Sequence, residues 1–304
     1  MPCDQRLHVI SFSGGKDSVA TWLHLTRELC LPNVRCVFAD TGHESPMLPA
    51  YLDYLVEHGC PLERIHAVNR DLRKTWPEDA DPAWLDAPLT MESLAAYKHR
   101  FASNVARFCT TELKLKPLAQ YVAGLPRDTV LVCGVRAEES PKRAAMATRM
   151  IDELTGLERW FPIHSWTHGE VFDCHKRHGI EPNPLYKMGF GRVGCWPCFM
   201  ATKGELGALA RRFPEAFDGL AAMEQRVAEA GKRGNATFFA PSKVPARFHS
   251  VTDTVSGESI ATADDVRRWA LGQEPAGSGQ GLMFEDEGED AFGDACVSPY
   301  GLCE

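Results

Sequence analysis

Ser11-Phe12-Ser13-Gly14-Gly15-Lys16-Asp17-Ser18 follows an apolar run at residues 7–10 and precedes Val19-Ala20-Thr21-Trp22-Leu23. A strand that ends in a glycine turn and opens a helix makes an anion site. Gly14 and Gly15 lack a Cβ, so the backbone can turn tightly and approach a phosphate. The first N–H groups of the helix have no partner within it and point to the same place. Such a terminus is worth only about 0.3–1 kcal/mol per anionic group. Most of the grip must therefore come from Lys16 and the hydroxyls of Ser11, Ser13 and Ser18. A nucleotide polyphosphate is the expected guest, although the Gly-x-x-x-x-Gly-Lys-Ser/Thr pattern of a Walker loop is absent.

Outward from this loop, apolar stretches at 7–12, 34–39, 65–68 and 129–133 alternate with amphipathic ones at 19–30, 48–58, 91–105 and 113–123. Strand alternating with helix predicts an α/β fold, a parallel sheet with helices on both faces. Ligands of such sheets bind at the carboxyl ends of the strands. The loops expected there are Ser13 to Ser18, Asp40-Thr41-Gly42-His43-Glu44 and Gly134-Val135-Arg136 onward to Arg143.

The expected organisation is a nucleotide-binding α/β domain at 1–157 and a helical, cysteine-bearing region at 158–271, with helices at 169–178, 203–212 and 214–229. An acidic tether at 272–294 and a tail at 295–304 follow. With 304 residues, 44% hydrophobic and 24% charged, the chain has ordinary globular composition. No apolar run is long enough for a membrane span, and Met1-Pro2-Cys3-Asp4-Gln5-Arg6 is not read as a secretory leader. A cytoplasmic location is expected. A net charge of −8 argues against wholesale wrapping of nucleic acid. Lys114, Lys116, Arg136, Lys142, Arg143 and Arg149 could still serve substrate phosphates or a polynucleotide backbone, or be solvated helix charges.

Eleven cysteines is many for such a chain, and a disulfide framework is not expected in the cytoplasm. Cys30, Cys36, Cys60 and Cys133 read as small buried hydrophobes. Cys195-Trp196-Pro197-Cys198 differs, because two thiols at this spacing in a glycine-rich setting can reach one metal or cluster. A redox dithiol, a structural zinc and an iron–sulfur cluster all remain open on spacing alone.

The loop at 11–18 resembles the PP-loop of the adenine-nucleotide alpha-hydrolase-like superfamily (HUP-like), which includes ATP pyrophosphatases, tRNA thiolation enzymes and sulfonucleotide reductases. Roughly residues 7–215 take part in the resemblance. Phe108-Cys109-Thr110-Thr111-Glu112-Leu113-Lys114 is similar to the cysteine-then-lysine segment of the sulfonucleotide (phosphoadenosine phosphosulfate) reductase family. Members of the adenosine-phosphosulfate type hold a 4Fe-4S cluster with a Cys-Cys pair there and a Cys-x-x-Cys downstream. Phe108 replaces the first of that pair, so the resemblance carries over Cys109, Cys195 and Cys198, with Cys303 as fourth ligand or Cys296 as its alternative. The Asp40-Thr41 segment resembles the family's second-strand loop, where a carboxylate orders magnesium or a ribose hydroxyl. Gly134-x-Arg136…Glu139-Ser140…Arg143 resembles its phosphate- or sulfate-binding loop.

Reductases of the family usually lose the Gly-Gly-Lys-Asp form and carry a C-terminal Glu-Cys-Gly segment. Here the loop is intact and the tail reads Gly301-Leu302-Cys303-Glu304. The resemblance therefore implies an ATP pyrophosphatase close to the DNA-phosphorothioation branch, using ATP, Mg2+ and a 4Fe-4S cluster to adenylate an acceptor for sulfur transfer. Lys16, Asp17, Asp40 and Arg136 would be catalytic. The expected partners are an adenine nucleotide and a cysteine desulfurase or other sulfur donor or reductant, with a nucleic-acid acceptor and a homodimer left open. A sulfonucleotide reductase is the alternative, and a non-catalytic nucleotide- or nucleic-acid-binding subunit with a structural cluster the third reading.

Overall fold

The computed structural model describes residues 4–73, 75, 78, 81–253 and 255–273. Contacts divide these into two compact units. One holds the described residues up to Leu89 together with Thr110–Cys195; the other holds Thr90–Cys109 and the described residues from Trp196 onward.

The first unit is built on a six-stranded sheet of order β3-β2-β1-β4-β6-β5. Its strands are β1 (His8–Phe12), β2 (Val34–Asp40), β3 (Leu62–His66), β4 (Val130–Cys133), β5 (Arg149–Ile151) and β6 (Glu158–Trp160). All pairings are parallel except β5 with β6. β1 and β4 are buried along their whole length, which is why they read as continuous apolar runs. On one face Val9, Val37 and Leu131 pack with Val122 and Leu118 of the helix Lys116–Ala123. Cys36 lies on the other face and meets Cys60, just beyond the helix α2 (Leu48–Glu57). Helices thus cover both faces, as the alternating pattern predicts.

Several elements depart from expectation. β3 spans Leu62–His66 rather than 65–68, because an edge strand with only partial burial needs few apolar residues. The first helix, α1 (Lys16–Leu23), passes into a π-helical turn at His24–Glu28 and stops before Cys30. Cys30 is exposed with φ 51°, so it is not a buried hydrophobe, whereas Cys36, Cys60 and Cys133 are buried. The helix expected at 91–105 covers only Met91–Lys98, ended by His99 in the left-handed region, and belongs to the second unit. β6 and the helix His168–Arg177 extend the sheet unit well past residue 157.

In the second unit, Glu215–Ala230 packs against Met91–Lys98, where Arg226 pairs with Glu92, and against Ala263–Ala270. Cys296, Cys303 and almost all of the expected tether and tail lie outside the described residues. No helix among the described residues is long and apolar enough to cross a membrane.

Candidate nucleotide site

The chain leaves β1 toward β2 and β3 on one side and returns to β4 on the other. That reversal opens a crevice at the carboxyl ends of β1 and β4, the usual ligand position in such sheets. The loops expected to meet there do so.

The β1–α1 loop is a closed cradle. Gly14 turns at φ 75°, and a Cβ there would lie 2.8 Å from a Leu48 methyl. Ser13 Oγ accepts from the Gly15 N–H at 3.2 Å, and Ser18 Oγ donates to the Gly15 carbonyl at 2.9 Å. Gly15 caps α1 with no side-chain acceptor, so the leading N–H groups of the helix are left for another partner. The Lys16 N–H donates to the Tyr186 hydroxyl at 2.9 Å. The Ser11 hydroxyl is buried in β1 without a hydrogen-bond partner among the described residues.

Two cations meet on one carboxylate beneath this cradle. Lys16 Nζ lies 2.8 Å from one Asp17 oxygen and Arg136 Nε 2.5 Å from the other. Asp17 is fully buried, with Lys16 and Arg136 at 6% and 4% exposure, which rules out a solvated lysine beside an ordinary turn. Burial opposes the Arg136 charge, but Asp17, with Glu139 and Glu138, outweighs it and raises the guanidinium pKa. Gly134 explains how the β4 loop comes so close: a Cβ there would lie 2.9 Å from the Asp17 backbone. Arg143 is also buried, in an ion pair with Glu139, and its carbonyl meets His164 Nε2 at 2.9 Å. Among the other basic residues, Lys116 pairs with Glu112 and Arg149 with Glu158, while Lys142 is exposed.

Asp40 ends β2 exposed, its Oδ1 accepting from the Gly42 N–H at 2.9 Å. The buried Thr41 hydroxyl donates to Glu44 at 2.5 Å. Burial raises the Glu44 pKa against the opposing pull of Thr41 and Lys114. The backbone of Glu44 pairs with that of Cys195, which places the first cysteine of the Cys-x-x-Cys beside the β2 loop. Cys195 closes the first unit, whereas Cys109 and Cys198 belong to the second. Cys195 and Cys198 are partly exposed and Cys109 is buried.

Sequence reasoning missed Tyr186 and His175, and it named Glu44 only as part of the β2 loop. His175 Nε2 donates to the Lys16 carbonyl at 2.9 Å, and its Nδ1 faces the Ile180 carbonyl at 3.3 Å. Burial lowers its pKa, against the opposing pull of the two carbonyls that the ring faces. Tyr186 and His175 lie 159–170 positions from Lys16, and no local pattern marks them.

A doubly covered, mostly parallel sheet with a glycine-turn cradle at its switch point defines an α/β protein of the nucleotide-binding type. Residues 7–201 match the family model described as "Phosphoadenosine phosphosulfate reductase domain", and the chain belongs to that family. It is 36% identical to an uncharacterized 37.8 kDa protein of Escherichia phage 186, over 99% of this chain and 98% of that one. It is also 38% identical to the adenosine 5'-phosphosulfate reductase of Allochromatium vinosum, but over only 32% of this chain and 37% of that enzyme. The solved phosphoadenylyl-sulfate reductase of Candida auris aligns with TM-score 0.40 and 16% identity, covering 62% of this chain and 81% of that one.

Proposed function

We propose that the chain is a PP-loop ATP pyrophosphatase that adenylates an acceptor for sulfur transfer. The supporting observation is the intact Ser13-Gly14-Gly15-Lys16-Asp17-Ser18 cradle, with the two buried cations Lys16 and Arg136 gathered at its base. Gly14 and Gly15 admit the β- and γ-phosphates close to backbone donors, and Lys16 and Arg136 offset their charge. Asp40, exposed at the end of β2, would hold Mg2+, which would neutralise polyphosphate charge when bound. An acceptor oxygen attacks the α-phosphorus, the bond to the bridging oxygen breaks, and pyrophosphate leaves with its charge held by Lys16 and the helix terminus. AMP on the acceptor is then the leaving group for a sulfur nucleophile.

The partly exposed Cys195 and Cys198, with Cys109, supply the soft sulfur donors a 4Fe-4S cluster takes. Such a cluster would supply redox or sulfur-carrying chemistry when bound. Cys303 or Cys296 as a fourth ligand belongs to the same proposal, as do a nucleic-acid acceptor and a separate sulfur donor.

A second reading, an adenosine 5'-phosphosulfate reductase, is favoured by the relatives of that name. One assay separates the two. Pyrophosphate and AMP formed from ATP in the presence of acceptor support adenylation. Sulfite formed from adenosine phosphosulfate with a thiol reductant, and no pyrophosphate from ATP, overturns it.

A further inference from the structure

Behind the cradle, on the side of α1 away from its first turn, the π-helical turn His24–Glu28 meets the end of the helix His168–Arg177. We propose that Glu28, Cys174 and His178 form a site for one divalent cation of the zinc type. One ligand atom from each residue lies within 4.8 Å of the other two. Cys174 and His178 are four residues apart at a helix end and therefore share a face. Zinc bonds of about 2.0–2.3 Å in a tetrahedron set neighbouring ligand atoms roughly 3.3–3.8 Å apart, so inward shifts of about an ångström or less suffice.

The surroundings match what a metal site needs. Glu28 is already oriented: His24 Nδ1 lies 2.6 Å from its Oε2, and Arg177 Nη2 donates to its Oε1 at 2.7 Å. His178 Nε2 lies 3.1 Å from the same carboxylate. Cys174 is fully buried, and its Sγ makes a 3.9 Å contact to the Ala20 carbonyl. Binding releases the thiol proton to solvent and forms the metal–sulfur bond, with no electron transfer. Thiolate and carboxylate then neutralise the ion, so the neighbouring Arg27 and Arg177 face no net positive charge. Sulfur, imidazole and carboxylate together select zinc over magnesium or calcium.

The ion would tie the extension of α1 to the helix that carries His175, and so brace the Lys16 backbone from behind. The site does not depend on the nucleotide reading.

Cobalt(II) titration of the full-length protein, stripped of metal and kept reduced, tests the site. A thiolate-to-cobalt charge-transfer band is expected in wild type and in a Cys195→Ser/Cys198→Ser double variant, and not in Cys174→Ser. His24→Ala, which removes one orienting partner of Glu28 and no ligand, should weaken cobalt binding about 10–100-fold. Zinc should raise the melting midpoint of wild type but not of His178→Gln, an independent readout should Cys174→Ser fail to fold. A band that survives in Cys174→Ser or disappears in the Cys195→Ser/Cys198→Ser variant overturns the proposal. So does wild type that neither shows the band nor gains stability with zinc.

Discussion

Asp17→Asn probes the charge arrangement under the cradle directly. Asp17 is fully buried and holds Lys16 at 2.8 Å and Arg136 at 2.5 Å. At an effective dielectric constant of about 20, each contact carries roughly 6 kcal/mol of gross Coulomb attraction. Desolvation of three buried charges offsets most of that, and breaking a buried pair costs about 3–5 kcal/mol net. The amide makes matters worse, because its Nδ2 donors must face one of the two cations. Urea unfolding should therefore show a loss of about 3–5 kcal/mol without nucleotide, a large share of the stability of an ordinary domain. A polyphosphate brings its own negative charge to Lys16 and Arg136 and should restore part of the loss. The stabilisation by ATP should thus be larger in Asp17→Asn than in wild type, while turnover falls. A loss below about 1 kcal/mol would refute the charge argument. Equal rescue by adenosine, which carries no phosphate, would show that the cations do not face the ligand.

Gly134→Ala puts a Cβ 2.9 Å from the Asp17 backbone, and neither strand nor helix can yield cheaply. A loss of about 1–3 kcal/mol is expected, with weaker nucleotide binding; unchanged urea midpoints would show that the loop moves aside. Tyr186→Phe removes the hydroxyl that now accepts the Lys16 N–H, freeing that donor for phosphate. A hydrogen bond worth about 0.5–1.5 kcal/mol predicts nucleotide binding roughly 2–10-fold tighter by calorimetry, and weaker binding would make Tyr186 a ligand contact instead. Burial pushes Glu224 up to about 7, despite two accepted backbone N–H groups from Phe238 and Ala263. A carboxyl raised above its unfolded pKa binds more protons when folded. Its contribution is full below about pH 4.5 and is lost as pH rises to about 7, a swing of about 3 kcal/mol. Glu224→Gln should lack that slope when unfolding is compared across this range, and parallel pH profiles would contradict the assignment.

What was legible in the sequence is what is local. A strand, two glycines, a lysine and a helix start lie within eight residues, and the physics of that unit needs little else. The buried strands β1 and β4 were readable for the same reason, since a doubly covered strand must be apolar throughout. β5 and β6 were not, because each is three residues long and carries charges that only tertiary pairing neutralises: Arg149 with Glu158, and Arg159 with Asp152. The same reasoning separates the basic residues between 110 and 150. Composition gives them equal standing, yet Arg136 and Arg143 are buried on acidic partners while Lys142 is exposed. Whether an arginine grips a ligand or braces a loop depends on carboxylates whose sequence distance is arbitrary; Asp17 lies 119 positions from Arg136. His175 and Tyr186 extend the point, since they act on one residue, Lys16, through its carbonyl and its N–H. Contacts made to backbone leave no demand on the side chain at position 16 and hence no pattern to read. A cradle can therefore be recognised from its own residues, whereas the groups that hold it open, closed or rigid must be found in three dimensions.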